Sequence, residues 1–127
     1  KNVAPAEMEG LLKGIAGVGQ AIVIGDARPY LTALLNLDEE AVAGLAERFG
    51  AEASAAALSA CEPFRDWLMA QVEAECNAHV ARYQTIKRVQ VVPVPFSVEG
   101  GELTPTMKIK RAEVSRKHAV LIEKLYE

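Results

Sequence analysis

Apolar positions along the chain alternate between a helical period and short continuous runs, and the switches between the two divide it into elements. Met8, Leu11, Leu12 and Ile15 recur at helical spacing, Pro5 suits the approach or first turn, and Gly17 and Gly19 stop the pattern, so a short helix is expected over residues 6–15. Residues 20–25 and 30–37 are apolar runs bounded by glycines and by the turn-like Asp26-Ala27-Arg28-Pro29. They predict a pair of strands. Asp38-Glu39-Glu40 places an N-cap candidate and two acids at the start of a helix reaching about Phe49, where Gly50 can serve as the residue that ends it.

An alanine-rich connection follows over residues 51–60. Pro63 then opens a longer helix with Phe64, Trp67, Leu68, Val72, Cys76 and Val80 along one face, expected to end near Tyr83. Residues 86–92 read as a strand, with Val89 and Val91 on one face and Arg88 and Gln90 on the other, closed by Pro93 and Pro95. Residues 97–110 are polar and rich in Gly, Thr and Pro, which predicts an exposed loop of the kind that often carries function. A last helix from Arg111 presents Val114, His118, Leu121, Ile122 and Leu125 to the core. The order α-β-β-α-α-β-loop-α, without an internal repeat, predicts an α+β fold: a small three-stranded sheet covered by helices, in one domain spanning residues 1–127.

At 127 residues, half of them apolar, the chain is long enough to bury a real core. No run approaches the ~20 apolar residues that span a bilayer, and no secretory signal pattern opens the chain, so a cytoplasmic protein is expected, with any membrane association coming through a larger protein. Cys61 and Cys76, fifteen positions apart, form neither a disulfide framework nor a zinc spacing. The net charge of −3 hides an asymmetry: residues 1–84 carry 6 basic and 12 acidic side chains, whereas 85–127 carry 8 and 5. That basic third could face an anion, but it falls far short of a nucleic-acid footprint. The opening Lys1-Asn2-Val3-Ala4-Pro5, without a methionine, reads as a piece of something longer.

The segment Gly100-Gly101-Glu102-Leu103-Thr104-Pro105-Thr106-Met107-Lys108-Ile109-Lys110-Arg111 carries the candidate chemistry. Two glycines and a proline between threonines shape a turn, and three cations emerge just before a helix. Charge alone allows Lys108 to bind a phosphate or carboxylate as a mobile point charge, and equally allows a solvated basic loop.

Thr104-Pro105-Thr106-Met107-Lys108-Ile109-Lys110-Arg111 closely resembles the lysine-bearing motif near the end of AMP-forming acyl-CoA synthetases, in the long-chain fatty-acid variety rather than the Ser-Gly-Lys variety of acetyl-CoA synthetases. Lys1-Asn2-Val3-Ala4-Pro5-Ala6-Glu7-Met8-Glu9 resembles the segment just after that family's interdomain hinge, and the resemblance covers essentially the whole chain. It implies the mobile C-terminal domain of a fatty-acid–CoA ligase, partnered by its own N-terminal adenylation domain. ATP and coenzyme A are then substrates of the parent enzyme, and Mg2+ is held by the missing domain. The resemblance casts Lys108 as the catalytic adenylation lysine. It offers Lys1, Asn2 and Val3 as contacts near coenzyme A, and Thr104, Thr106 and Arg111 as further substrate-binding or interface residues. No metal site, nucleic-acid partner or transmembrane segment is expected, and the fragment alone should be inactive.

Other constellations read as structure. Gly14, Gly17 and Gly19 follow a helix and precede a strand, the reverse of a phosphate-binding loop. Cys76, His79 and His118 lack a fourth ligand. Phe64 and Trp67 belong to a core, and Glu73 and Glu75 cannot share a helical face. The alternatives to a long-chain ligase are another adenylate-forming enzyme, such as an aryl- or short-chain acyl-CoA synthetase, and a basic interaction module.

Overall fold

A computed structural model describes residues 3–127. Helix α1 (Pro5–Leu12) starts on its proline, whose missing N–H costs nothing in a first turn. It ends short of Ile15, which remains buried because its own N–H bonds the Leu12 carbonyl in a closing turn. Strands β1 (Val18–Ile24) and β2 (Leu31–Leu37) pair antiparallel, and β3 (Ile86–Val91) joins β2 in parallel, giving the order β1-β2-β3. A register shift between Leu31 and Thr32 in the β2–β3 pairing sets Ile86 opposite Leu31 and Arg88 opposite Thr32. One extra residue on β3 thereby turns Ile86 into the core although Lys87 and Arg88 stay exposed.

The long connection from β2 to β3, which a parallel pair requires, is helical. Helix α2 (Glu39–Phe49) ends on Gly50 at φ 70°, a left-handed closure that costs glycine little. The alanine-rich stretch is not a plain connection: Ser54 accepts the Ala57 N–H and caps a short helix α3 (Ala55–Ser59). Helix α4 (Glu62–Glu75) stops well before Tyr83. Buried Asn77 ends it, giving its amide to the Ile86 carbonyl and to Glu73 and accepting the Ile86 N–H, and single 3₁₀ turns at Asn77–His79 and Arg82–Gln84 lead into β3.

Both faces of the sheet are covered, which is why β1 and β2 read as continuous apolar runs rather than alternating ones. On the first face Ala21, Val23, Ala33, Leu35 and Leu37 pack with Met8 and Leu12 of α1, Leu58 of α3, and Phe64, Leu68 and Val72 of α4. Phe49, Phe64 and Trp67 form an aromatic trio with ring centres 5.6 to 5.7 Å apart. On the second face Ile22 and Leu34 meet Val92, Phe96, Leu103, Val114, Ile122 and Leu125. The α+β sheet covered by helices is as the sequence predicts. The final helix is divided, into α5 (Arg111–Lys117) and α6 (Ala119–Lys124), with His118 at the break.

Candidate functional site

Residues 97–110 are not an exposed loop throughout. Phe96, Glu102 and Leu103 are buried, and the segment folds back on itself as a small hairpin. Its path off β3 is guided by Asn36, a buried polar residue of β2 whose side-chain oxygen accepts the Phe96 N–H at 3.0 Å. Leu103 and Ile109 then form an antiparallel bridge, and the Lys110 N–H bonds the Glu102 carbonyl at 2.8 Å. Leu103 lies in the second core and Ile109 packs against it, so the base of the hairpin is apolar and seated.

The tip follows from its residues. The Thr104 N–H bonds the Lys108 carbonyl and the Met107 N–H bonds the Thr104 carbonyl, both at 2.8 Å. This is the pattern of a three-residue hairpin loop, in which a tight turn is followed by one left-handed residue. Pro105 occupies the position such a turn favours for proline. Met107 takes the left-handed position at φ 68°, where glycine or asparagine is usual, and its side chain is exposed. A non-glycine residue there stores about 1 kcal/mol or more of backbone strain.

Lys108 therefore leaves the tip exposed, just after the strained residue. Among the described residues no carboxylate forms an ion pair with its ammonium group. It lines neither of two hollows of the domain, a groove of about 930 Å³ between α1, β1, α5 and α6 and a pocket of about 260 Å³ beside β3. Thr104 and Thr106 shape the turn: the Thr104 hydroxyl accepts the Lys108 N–H at 3.0 Å and lies 3.2 Å from the Thr106 hydroxyl. Arg111 binds within the domain, its guanidinium 2.5 Å from a Glu9 carboxylate oxygen.

Of the hinge-proximal candidates, Lys1 and Asn2 lie outside the described residues. Val3 is held by its backbone, donating its N–H to Gln84 at 2.8 Å and accepting the Gln84 amide at 2.7 Å, while its side chain packs against the first core. The structure thus brings Arg111 to α1 and groups Thr104, Thr106 and Lys108 on one turn. Among the described residues no group of three or more His, Cys, Asp and Glu side chains could hold a metal ion, and no helix is long and apolar enough to cross a membrane.

Sequence reasoning passed over Glu102. Its carboxylate is almost wholly buried, accepts the Ser97 N–H at 3.1 Å, and lies 2.5 Å from His118 Nε2 and 3.6 Å from Lys117 Nζ. The signal available was an acid between a double glycine and an apolar residue, which composition alone assigns to solvent. Glu9 was likewise read only as part of the N-terminal segment, yet its second oxygen accepts the buried Val23 N–H at 2.8 Å.

A three-stranded α+β domain with a lysine on a seated hairpin matches, over residues 1–127, the AMP-binding enzyme C-terminal domain, and the chain belongs to that family. It is 39% identical over 130 residues to the long-chain-fatty-acid–CoA ligase FadD15 of Mycobacterium tuberculosis, an alignment covering 99% of this chain and 21% of that protein. The chain thus spans about a fifth of the length of this relative. In fold it is similar to the adenylation domain of a carboxylate reductase from Mycobacterium chelonae, with TM-score 0.69 and 27% identity over 98% of this chain and 18% of that one. It also resembles the didomain of a carboxylic acid reductase from Segniliparus rugosus in complex with AMP, with TM-score 0.74, 21% identity, and coverage of 98% and 16%.

Proposed function

We propose that this domain supplies the adenylation lysine, Lys108, of an AMP-forming long-chain fatty-acid–CoA ligase. The observation that carries the reading is the position of Lys108: an exposed cation, unpaired within the described residues, at the tip of a hairpin whose base is fixed in the core. Such a side chain has no reaction centre on its own domain. It acts where another domain presents an anion, and the likeness to fatty-acid–CoA ligases along the whole chain supports that partner being the large adenylation domain.

In the first half-reaction a fatty-acid carboxylate oxygen attacks the α-phosphorus of ATP, forming the acyl-adenylate and releasing pyrophosphate. Lys108 places positive charge beside oxygens that become more negative in the transition state, in a site closed to water by the apposed domains. It serves as a fixed cation and need not move a proton. In the second half-reaction the thiol of coenzyme A attacks the acyl carbon and AMP leaves. The domain rotates between the two steps, withdrawing the hairpin and bringing the segment containing Lys1, Asn2 and Val3 toward the coenzyme A channel. ATP and its Mg2+ belong to the larger domain.

The test uses the ligase that carries this domain, with Lys108→Ala assayed in the two half-reactions separately. Adenylate formation is expected to fall by about 10² to 10³, the loss typical of one preorganised electrostatic group, while transfer of preformed acyl-adenylate to coenzyme A is largely retained. Near-normal adenylation by Lys108→Ala would reduce the hairpin to a basic surface loop. A panel of long-chain, short-chain and aryl acids run in the same assay decides the acyl class.

A further inference from the structure

We propose that Glu9 and Glu102 are positioning residues: a pair of buried carboxylates that clamp the two ends of the Lys108 hairpin and make the lysine a rigid extension of the domain. The proposal rests on the reading of Lys108 as the adenylation lysine. Among the described residues these two are the buried acids, and each faces one end of the same hairpin. A buried carboxylate is costly to maintain unless it is paired and hydrogen-bonded. Each also accepts a backbone N–H, from Val23 or Ser97, that an apolar side chain would leave unpaired.

Glu102 holds the leading end. Its backbone N–H bonds the Ser97 carbonyl and its backbone carbonyl accepts the Lys110 N–H, so the residue spans both arms of the hairpin. Its side chain joins the Ser97 N–H to His118, at the break between α5 and α6, with Lys117 Nζ alongside. Lys117 in turn donates to the Gly100 carbonyl at 3.0 Å. Glu9 holds the trailing end. One of its oxygens takes the Val23 N–H of β1 and the other takes the guanidinium of Arg111, three residues past Lys108. Arg111 is thereby bound to the helix that follows the Lys1–Val3 segment.

Without these ties the hairpin would rest on the Leu103–Ile109 bridge, their two apolar side chains and the backbone bonds of Glu102 and Leu103 to the Ser97 carbonyl. A two-stranded hairpin of that kind is marginally stable by itself. Placing a charge in a transition state is unforgiving: a shift of about 1 Å at a remote support can cost roughly 100-fold in rate. Neither carboxylate forms an ion pair with Lys108, so both act through the backbone that carries it.

The experiment compares Glu102→Gln and Glu9→Gln in the complete ligase with Lys108→Ala and with the double variant Glu102→Gln/Lys108→Ala. Glutamine keeps the shape and one acceptor but removes the charge that binds His118 and Arg111. Each single glutamine variant is expected to lower kcat for adenylation about tenfold to 100-fold with KM for ATP and fatty acid within about twofold. Glu102→Gln should leave transfer of preformed adenylate near wild type, which also shows that the domain is folded. Because the carboxylate acts through Lys108, Glu102→Gln should add nothing to Lys108→Ala, the signature of coupled residues. For Glu9, Arg111→Lys is the second variant: it keeps the charge, loses the forked geometry, and should fall between wild type and Glu9→Gln.

A full additional loss from Glu102→Gln on the Lys108→Ala background, or a parallel fall of both half-reactions, would make these carboxylates merely structural and overturn the clamp. Unchanged adenylation in both glutamine variants beside a disabled Lys108→Ala enzyme would overturn the clamp alone. Unchanged adenylation in Lys108→Ala itself would remove the functional reading and the clamp together.

Discussion

The two faces of the sheet are built differently. The face under α1, α3 and α4 is closed by large apolar side chains and an aromatic trio, and its polar insertion, Asn77, serves to end one helix and begin one strand. The face under the hairpin, α5 and α6 has a smaller apolar cluster rimmed by ionisable groups: Glu102, His118, Lys117, and the Arg28–Glu123 ion pair stacked against Tyr126. Burial of apolar area is non-directional and tolerates sliding, whereas hydrogen-bonded charges fix position. On the proposed clamp, the first face supplies stability, and the second, with Glu9 reaching across from α1 to Arg111, supplies placement.

The largest expected effect that tests this division is Phe64→Ala. Phe64 is fully buried at the centre of the first face, and its loss should cost about 3–5 kcal/mol in urea unfolding. Adenylation per folded molecule should stay near wild type, and a specific loss of adenylation in that variant would dissolve the distinction between the faces. Leu103→Ala sharpens it from the other side. This side chain is the apolar foot of the hairpin, and its truncation should cost about 2–3 kcal/mol while reducing adenylation more than transfer of preformed adenylate.

A smaller effect separates the faces by pH. Burial in the first core pushes the Cys76 thiol from 9.0 up to about 11. The folded state favours the protonated thiol, so its contribution to stability is complete below pH 9.0 and is lost as pH rises through about 11. Melting temperatures measured from pH 8 to about 11 should decline more for wild type than for Cys76→Ala, which has no thiol to ionise. Equal declines would mean that the thiol makes no pH-dependent contribution to this core.

Much of the fold was legible because it rests on local chemistry. Pro5, Gly50 and Pro63 mark helix ends by their own backbone preferences, and the apolar runs of β1 and β2 follow from a sheet covered on both sides. The misreadings share one cause. α4 stops where Asn77 finds Ile86, nine positions on, and α5 breaks at His118, sixteen positions from Glu102. In each case a polar side chain takes a partner from another element and overrides the helical period. Ala55–Ser59 was missed for a different reason: alanine carries no amphipathic signal, so its helix shows only through the Ser54 cap.

The sequence by itself determined the three strands, most of the helices and the family resemblance, because periodicity, turn chemistry and the Thr104–Arg111 motif are written in adjacent residues. It also singled out Lys108. Only the tertiary structure decided that the segment bearing it is a seated hairpin rather than a loop, that Thr104 builds the turn, and that Arg111 belongs to Glu9. The last of these depends on charges meeting across 102 positions. A buried acid and an exposed one look the same until the chain has folded around them.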